Sequence, residues 1–444
     1  MGVREGRGDP ECGITSAPCG LDSSVWRITL KTKTLHARPA PHSFPSIILS
    51  VVLALTIFLA SCGASGGGAS ANDPANDCEK ANTDLKVGFD TSLTGGTADL
   101  GEGQRKGFKL ALKEYNAKGG YKGKKVTCVI LDDGTKPENG SANITRLIDQ
   151  DKVVGVIAFA NTGVANGALD KVQQSQVPLI IPVATGSVLT QKFADQPKNY
   201  VFRLSMQDIK QVAVMLTFLD KQNFSKPAIM HDVTGYGTLG RDDIVKGLAE
   251  KGKKPVEVQS FQIGDTDMTG QVQKAKAAGA DVIMTYALAP ELANLLKSLD
   301  RIGWYPPIVG SWTLAQPDMV KFATPDVIKK FKIHMVQSFT VDRDEASKAY
   351  NDKVVKEYGS NPVPITSAQA YDAASIMLAA IDKVGPDPKA IRDAIEATDG
   401  FKGVTTAPAK PYDQKNHEAI DVKDMFIAVL QDNGKGTIIP ARAK

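Results

Sequence analysis

Short apolar runs that alternate with amphipathic segments constrain the fold of this chain more than any other feature. Residues 85–89, 126–131, 153–158 and 177–181 have the length and composition of buried strands, and apolar residues recur at helical spacing between them. Strands and helices that alternate at this distance predict right-handed βαβ crossovers and mostly parallel sheets. A second series of the same kind begins near Asp208, and 444 residues with 42% hydrophobic content suffice for two cores. We therefore expect an α/β protein with two parallel-sheet lobes.

Further helical and strand-like segments follow the second series, which suggests that the chain crosses between the lobes more than once. In open parallel sheets, ligands bind beyond the carboxyl ends of the strands. Two such sheets that face each other enclose a cleft, and clefts of this kind commonly bind small molecules. The predicted architecture therefore favours a small-molecule site between two lobes.

An uncharged apolar segment, residues 47–60, lies upstream of the first predicted strand. It is shorter than the roughly 18–20 residues that a helix needs to cross a bilayer, and basic residues precede it, as in a secretory signal. Its end, Leu59-Ala60-Ser61-Cys62, resembles a bacterial lipobox, which implies a lipid on the Cys62 thiol. We assign residues 1–62 to a leader and lipoprotein signal peptide and residues 63–83 to a flexible tether. The alternatives are a buried core helix and an uncleaved anchor.

The five cysteines separate by position. Cys12 and Cys19 lie in the predicted leader, and Cys62 is the lipidation candidate. Outside the cytoplasm, the remaining pair is more often bridged than free. Cys78 precedes the first predicted strand and Cys128 lies in the second, and these strands are expected to be neighbours. The interpretations are therefore a Cys78–Cys128 disulfide and a buried free Cys128.

Nucleic-acid binding, metal binding and catalysis find little support. The net charge is +4 without a basic stripe or an aromatic cluster, and the chain has no CxxC motif and no His/Cys cluster. Glycines 101, 103 and 107, with Asp132 after the next strand, suggest a dinucleotide loop, but such a loop opens its helix directly after a strand. No Gly-x-Ser-x-Gly nucleophile motif occurs. We expect no metal, no cofactor and no enzymatic activity; an exported enzyme is the remote alternative.

Several short motifs run through residues 85–434 in a specific order. They are Ser92-Leu93-Thr94-Gly95 with Gly101, the helix containing Arg105, Glu114, Asn116 and Gly119-Gly120, the stretch 177–185, Val201-Phe202-Arg203, and His231-Asp232 with Tyr236-Gly237. Their order and spacing resemble the leucine/isoleucine/valine-type periplasmic binding proteins of ABC importers. The resemblance implies two flavodoxin-like lobes joined by a three-strand hinge that closes on a ligand. It assigns residues 84–206 and 339–407 to lobe 1, and residues 207–338 and 408–444 to lobe 2.

The resemblance also implies ligand contacts at the carboxyl ends of the strands. In lobe 1, Asn161 and Thr162 follow the third strand, and Val183 and Thr185 follow the fourth. Hydroxyl and N–H groups at these positions suit a ligand carboxylate, because charge-assisted hydrogen bonds fix its orientation. In lobe 2, Tyr236 is expected to close over the ligand; the alternative is an ordinary turn at Tyr236-Gly237.

Three further positions depart from the family pattern. Two family tyrosines are replaced by Leu100 and Leu288, and the acid that receives a ligand ammonium is replaced by Trp312. The indole N–H cannot accept a hydrogen bond, although the ring can meet a cation or stack on an aromatic group. Two roles are open for Asp208: it could replace the missing acid as the anion that receives an ammonium group, or it could form a hydrogen bond at the hinge. The carboxylate half of the site is thus retained while the amine half is altered.

These observations predict an extracytoplasmic, lipid-anchored, monomeric solute-binding protein. Its ligand is expected to be a small carboxylate-bearing molecule, either branched-chain amino acid-like or an aromatic or aliphatic acid or amide. The expected partners are the permease subunits of an ABC importer, and no nucleic acid. The alternative is a ligand-sensing receptor domain that signals to a membrane partner, because the same fold suits either role.

Overall fold

The structure, a computed structural model, describes Cys78, residues 85–430 and residues 438–441. The predicted leader, the lipidation candidate Cys62 and the tether apart from Cys78 lie outside these residues. All described residues belong to one compact unit, Gly68–Lys444. Within them, no helix has both the length and the apolar character needed to span a membrane.

The first sheet contains five parallel strands in the order β2-β1-β3-β4-β5. The strands are β1 (Lys86–Thr91), β2 (Thr127–Asp132), β3 (Gly155–Ala158), β4 (Leu179–Ile181) and β5 (Val201–Arg203), and the helices between them are α1 (Ala98–Ala117), α2 (Pro137–Asp149), α3 (Thr162–Ser175) and α4 (Val188–Gln191). The central strands are buried and apolar because helices cover both faces of a parallel sheet.

The second sheet contains seven strands in the order β12-β11-β10-β9-β8-β6-β7. Its elements begin with α5 (Asp208–Lys221), β6 (Pro227–Asp232), α6 (Gly235–Glu250), β7 (Glu257–Phe261), α7 (Thr269–Ala277), β8 (Val282–Tyr286), α8 (Ala289–Arg301), β9 (Ile308–Gly310), α9 (Pro317–Ala323), α10 (Pro325–Ile328) and β10 (Ile333–Gln337). Strands β6 to β10 pair in parallel. A short 3-10 helix, Trp312–Ala315, follows β9.

After β10 the chain returns to the first lobe. Helices α11 (Glu345–Tyr358), α12 (Pro364–Val384) and α13 (Pro388–Glu396) follow. Helix α12 lies so close to α1 that a Cβ on Gly107 would be 1.9 Å from the Ser367 carbonyl oxygen, which explains the glycine. The chain then re-enters the second sheet, where β11 (Phe426–Leu430) pairs antiparallel with β10 and β12 (Ile438–Pro440) pairs antiparallel with β11. The predicted two-lobe α/β architecture is confirmed.

Residues that follow the predicted lobe boundary at residue 408 still contact the first sheet. The Arg203 N–H donates to the His417 carbonyl oxygen (2.9 Å), and the Ala419 N–H donates to the Arg203 carbonyl oxygen (3.0 Å). Residues 417–419 therefore pair with β5 of the first sheet. The assignment of residues to lobes stays a prediction, and these hydrogen bonds favour moving its last boundary from residue 408 to beyond Ala419.

The predicted disulfide between Cys78 and Cys128 is confirmed, with a Cα–Cα distance of 5.5 Å. Cys128 lies on β2, so the bridge attaches the chain upstream of β1 to the first sheet. The alternative of a free Cys128 is excluded. The bridge closes a loop of 50 residues, and cross-links of this kind typically stabilise a fold by about 2–4 kcal/mol.

Candidate functional site

A small cavity lies between the carboxyl ends of the strands of the two lobes. All eight predicted binding residues line it together with Ala160 and Thr313: Leu100, Asn161, Thr162, Val183, Thr185, Tyr236, Leu288 and Trp312. The two additional residues are sequence neighbours of predicted ones, so a search of each whole loop would have found them. The free volume is about 10 Å³, roughly the space of one water molecule. The lobes are therefore closed around the cavity.

The amino-terminal end of α3 forms one wall of the cavity. Asn161 caps this helix, because its Oδ1 accepts hydrogen bonds from the N–H groups of Gly163 (2.9 Å) and Val164 (3.4 Å). Thr162 is the first residue of the helix, so its own N–H has no partner within the helix. A helix start that faces a cavity favours an anion there.

The loop after β4 meets the start of α3. The Gly186 N–H donates to the Thr162 Oγ1 at 3.1 Å, so the hydroxyl oxygen is held while its proton remains available to a second acceptor. The neighbouring Thr185 hydroxyl interacts with the Asp208 carboxyl and lowers its pKa. Of the two threonine hydroxyls predicted to meet a carboxylate, that of Thr162 thus has a proton available for a second acceptor, whereas that of Thr185 also interacts with Asp208.

Tyr236 forms the wall contributed by α6. Its hydroxyl donates to the Ser311 Oγ at 2.6 Å, and its ring lies 4.9 Å from that of Tyr286. Burial raises the pKa of Tyr236 well above its usual value, so the phenol stays protonated. On the next wall, the Leu288 N–H donates to the Asp232 Oδ2 at 2.8 Å, which leaves the Leu288 side chain as an apolar surface of the cavity.

Trp312 contributes a large aromatic surface to the cavity. Its backbone is held on both sides: the N–H donates to the Gln211 Oε1 (3.4 Å), and the carbonyl accepts from the Gln337 Nε2 (3.2 Å). The side chain is 4% exposed, and among the described residues its indole Nε1 has no hydrogen-bond partner.

Comparisons with known proteins identify the family. Residues 84–435 match the periplasmic binding protein family. The chain belongs to this family. It is 27% identical over 356 residues to the Leu/Ile/Val-binding protein homolog 2 of Brucella abortus, which covers 79% of this chain and 92% of the relative. The family consists of solute-binding proteins and indicates an extracytoplasmic location.

Solved structures agree with the fold of this binding protein. A periplasmic binding protein type 1 from Bordetella pertussis has a TM-score of 0.73 and 28% identity, covering 80% of this chain and 100% of its own. The branched-chain amino acid transporter substrate binding protein from Streptococcus pneumoniae, in complex with isoleucine, has a TM-score of 0.69 and 25% identity. That match covers 80% of this chain and 99% of the Streptococcus chain. The fold is therefore the type I periplasmic binding protein fold.

Asp208 lies next to the cavity of the binding protein without lining it. The carboxyl is fully buried, and burial raises its pKa to about 7, although interactions with the Thr185 and Tyr286 hydroxyls oppose this rise. The Tyr286 hydroxyl donates to its Oδ1 at 2.8 Å. The Oδ1 of Asp208 thus contacts residues near the crossing between the lobes, and the two interpretations of this residue stay predictions.

A hydrogen bond joins the two lobes beside the cavity. Ser187, in the loop after β4, donates to the Asp243 Oδ2 on α6 at 2.6 Å. Contacts of this kind exist only when the lobes are closed, so they favour the closed form of the binding protein.

Within the described residues, no group of three or more His, Cys, Asp or Glu side chains is arranged to hold a metal ion.

Proposed function

We propose that this protein is a monomeric, lipid-anchored receptor that captures a small carboxylate-bearing molecule and delivers it to an ABC importer. The ligand is branched-chain amino acid-like, or an aromatic or aliphatic acid or amide. One observation carries the proposal: residues from both lobes converge on one buried cavity at the carboxyl ends of the strands. The name of the Streptococcus pneumoniae relative, a transporter substrate binding protein, supports the role in import.

The proposed mechanism is binding without covalent chemistry. The closed cavity has a free volume of about 10 Å³, whereas sites for small molecules are usually larger than about 300 Å³, so the lobes must open before a ligand enters. The start of α3 and the Thr162 hydroxyl hold the carboxylate, while Leu100, Val183 and Leu288 contact the apolar part of the ligand. Closure is driven by the higher affinity of the closed form for the ligand.

Replacing Thr162 by alanine tests the carboxylate site. A thermal-shift screen of the purified protein against small carboxylates and amides first identifies binders, which raise the melting temperature. We expect Thr162→Ala to weaken carboxylate binding by about 1–3 kcal/mol, because one hydrogen bond to a charged group is lost. Isothermal titration calorimetry measures the change.

Thr217→Ala is the matched control, because Thr217 is an exposed residue of α5 whose hydroxyl donates to the Ala213 carbonyl. Its ligand affinity should equal that of the unmodified protein. Equal affinities of Thr162→Ala and the control would remove Thr162 from the site, and a screen in which no carboxylate binds would remove the proposed function.

The lipid anchor is tested separately through Cys62. Bacteria that express the full chain should yield a protein that partitions into the detergent phase, because a lipid is attached to the cysteine. The Cys62→Ser variant should move to the aqueous phase. Recovery of the unmodified protein in the aqueous phase would contradict the anchor and leave the ligand-binding proposal intact.

A further inference from the structure

The indole N–H of Trp312 is the least satisfied polar group of the cavity. The residue is 4% exposed, and Nε1 has no partner among the described residues. Buried polar groups are normally hydrogen-bonded, and an indole nitrogen can only donate. Gln211 and Gln337 hold the Trp312 backbone on both sides, and its side chain lines the cavity. A ligand group that meets this nitrogen must therefore be a hydrogen-bond acceptor.

The described lining of the cavity offers no carboxylate to an ammonium group. The ten described residues that line the cavity include no aspartate and no glutamate. Asp208 does not line the cavity: its Oδ1 accepts from Tyr286 and from the Gln211 Nε2, and its buried Oδ2 has no hydrogen-bond partner among the described residues. Asp232 is occupied by the N–H groups of Thr234 and Leu288. An ammonium group enclosed here would be removed from water without an ionic partner, which is strongly unfavourable.

The backbone around the cavity also disfavours a cation. Leu100 lies in the first turn of α1, Thr162 begins α3, Tyr236 lies in the first turn of α6, and Leu288 immediately precedes α8. Four helices therefore direct their amino-terminal ends, which carry partial positive charge, towards the same cavity. This arrangement favours negative and acceptor groups and opposes a positive one.

We infer that the ligand carries an uncharged hydrogen-bond acceptor beside its carboxylate, in place of an ammonium group, and that Trp312 Nε1–H donates to this acceptor. The inference rests on the proposed function and names its substrate class. The 2-oxo acids are the simplest molecules of this class, because a carbonyl oxygen stands next to the carboxylate. Trp312 thereby discriminates against amino acids.

Three molecules with one side chain test the inference: 4-methyl-2-oxopentanoate, 4-methylpentanoate and L-leucine. They differ only in the group beside the carboxylate. This group is a carbonyl acceptor in the 2-oxo acid, hydrogen in 4-methylpentanoate and ammonium in L-leucine. Calorimetry of the purified protein at pH 7.5 should show the 2-oxo acid binding at least about tenfold more tightly than L-leucine, because only the amine is desolvated without a partner. Phenylpyruvate, 3-phenylpropanoate and L-phenylalanine form a second set with an aromatic side chain.

Two variants assign the discrimination to Trp312. Trp312→Phe keeps an aromatic ring and removes the N–H, so 2-oxo acid affinity should fall about fivefold while 4-methylpentanoate affinity changes less than about twofold. Trp312→Glu supplies an acid and should reverse the preference towards L-leucine. Trp304→Phe is the matched control, because Trp304 packs against a different core cluster and does not line the cavity.

The outcomes separate the inference from the proposed function. Tighter binding of the amino acid than of the 2-oxo acid in both sets would overturn the inference and leave the receptor role intact. An unchanged ratio of 2-oxo acid to 4-methylpentanoate affinity in Trp312→Phe would overturn the role of the indole N–H. If no member of either set binds, both the inference and the proposed carboxylate receptor are contradicted.

Discussion

Replacing Glu418 by alanine is expected to lower the free energy of unfolding by about 3–5 kcal/mol, because it leaves a buried arginine without its partner. The Arg203 side chain is fully buried, and its Nε donates to the Glu418 Oε2 at 2.7 Å. Its Nη2 donates to the other carboxylate oxygen, which also accepts from the Thr190 hydroxyl. Urea unfolding monitored by circular dichroism measures the loss.

The same substitution is expected to weaken ligand binding. The Arg203 Nη1 donates to the Gly186 carbonyl oxygen at 2.7 Å, and the Gly186 N–H donates in turn to Thr162 in the cavity. Arg203 and Glu418 thus connect the last crossing between the lobes to the loop that positions the proposed carboxylate site. Weaker binding by a variant that is still folded would show this connection.

The control is Asp170→Ala, which removes an ion pair with Lys192 on the surface, where the side chains are 63% and 34% exposed. Exposed pairs contribute about 0–1 kcal/mol, so this variant should unfold nearly as the unmodified protein does. The double variant Arg203→Met with Glu418→Leu should recover part of the stability, since no lone charge remains buried. Glu418→Ala behaving like the surface control would contradict the prediction.

The sequence predicted the two-lobe architecture well because strand and helix periodicities are local signals. Predicted strands at residues 126–131 and 153–158 correspond to β2 and β3 within one or two residues. The first turns of α1, which begins at Ala98, carry a weaker signal in the sequence. Gly101 weakens the helical signal there, and the structure requires it, because a Cβ would lie 1.9 Å from the Ser92 carbonyl oxygen.

The positions of the residues that line the cavity could be predicted, but several of their contacts could not. The carboxyl ends of strands mark where Thr162, Thr185 and Tyr236 lie, and all three line one cavity. That the Thr185 hydroxyl interacts with Asp208 depends on the packing of the crossing segment, which leaves no periodic signal. The pairing of Arg203 with Glu418 joins residues 215 positions apart, and such contacts carry no local pattern.

Replacing Asp208 by asparagine should change how stability depends on pH. Burial raises the pKa of this carboxyl to about 7, compared with about 4 in an unfolded chain. The folded protein therefore binds the proton more tightly than the unfolded chain does. The stabilisation from this proton is fully present below about pH 4 and is lost as the pH rises towards and through 7.

Between pH 4 and pH 8, the unmodified protein should lose free energy of unfolding that the Asp208→Asn variant does not lose. At about 1.4 kcal/mol for each pKa unit, this loss is on the order of 4 kcal/mol. Asp372 has a pKa raised to about 6 and contributes in the same direction, but it is present in both proteins and cancels in the difference. Unfolding by urea at half-unit pH intervals gives the two curves.

Asp220→Asn is the control of opposite sign. Hydrogen bonds from Lys251 and Lys253 hold the pKa of this exposed carboxyl below its usual value, so its contribution is present at neutral pH and is lost in acid. Parallel curves for Asp208→Asn and the unmodified protein would mean that the buried carboxyl stays ionised through this range. Tyr286 and the crossing segment leave the Asp208 carboxyl no contact with water, so the folded protein should hold this group protonated. A difference in unfolding free energy between the variant and the unmodified protein that changes between pH 4 and pH 7 would establish that folding takes up a proton at Asp208.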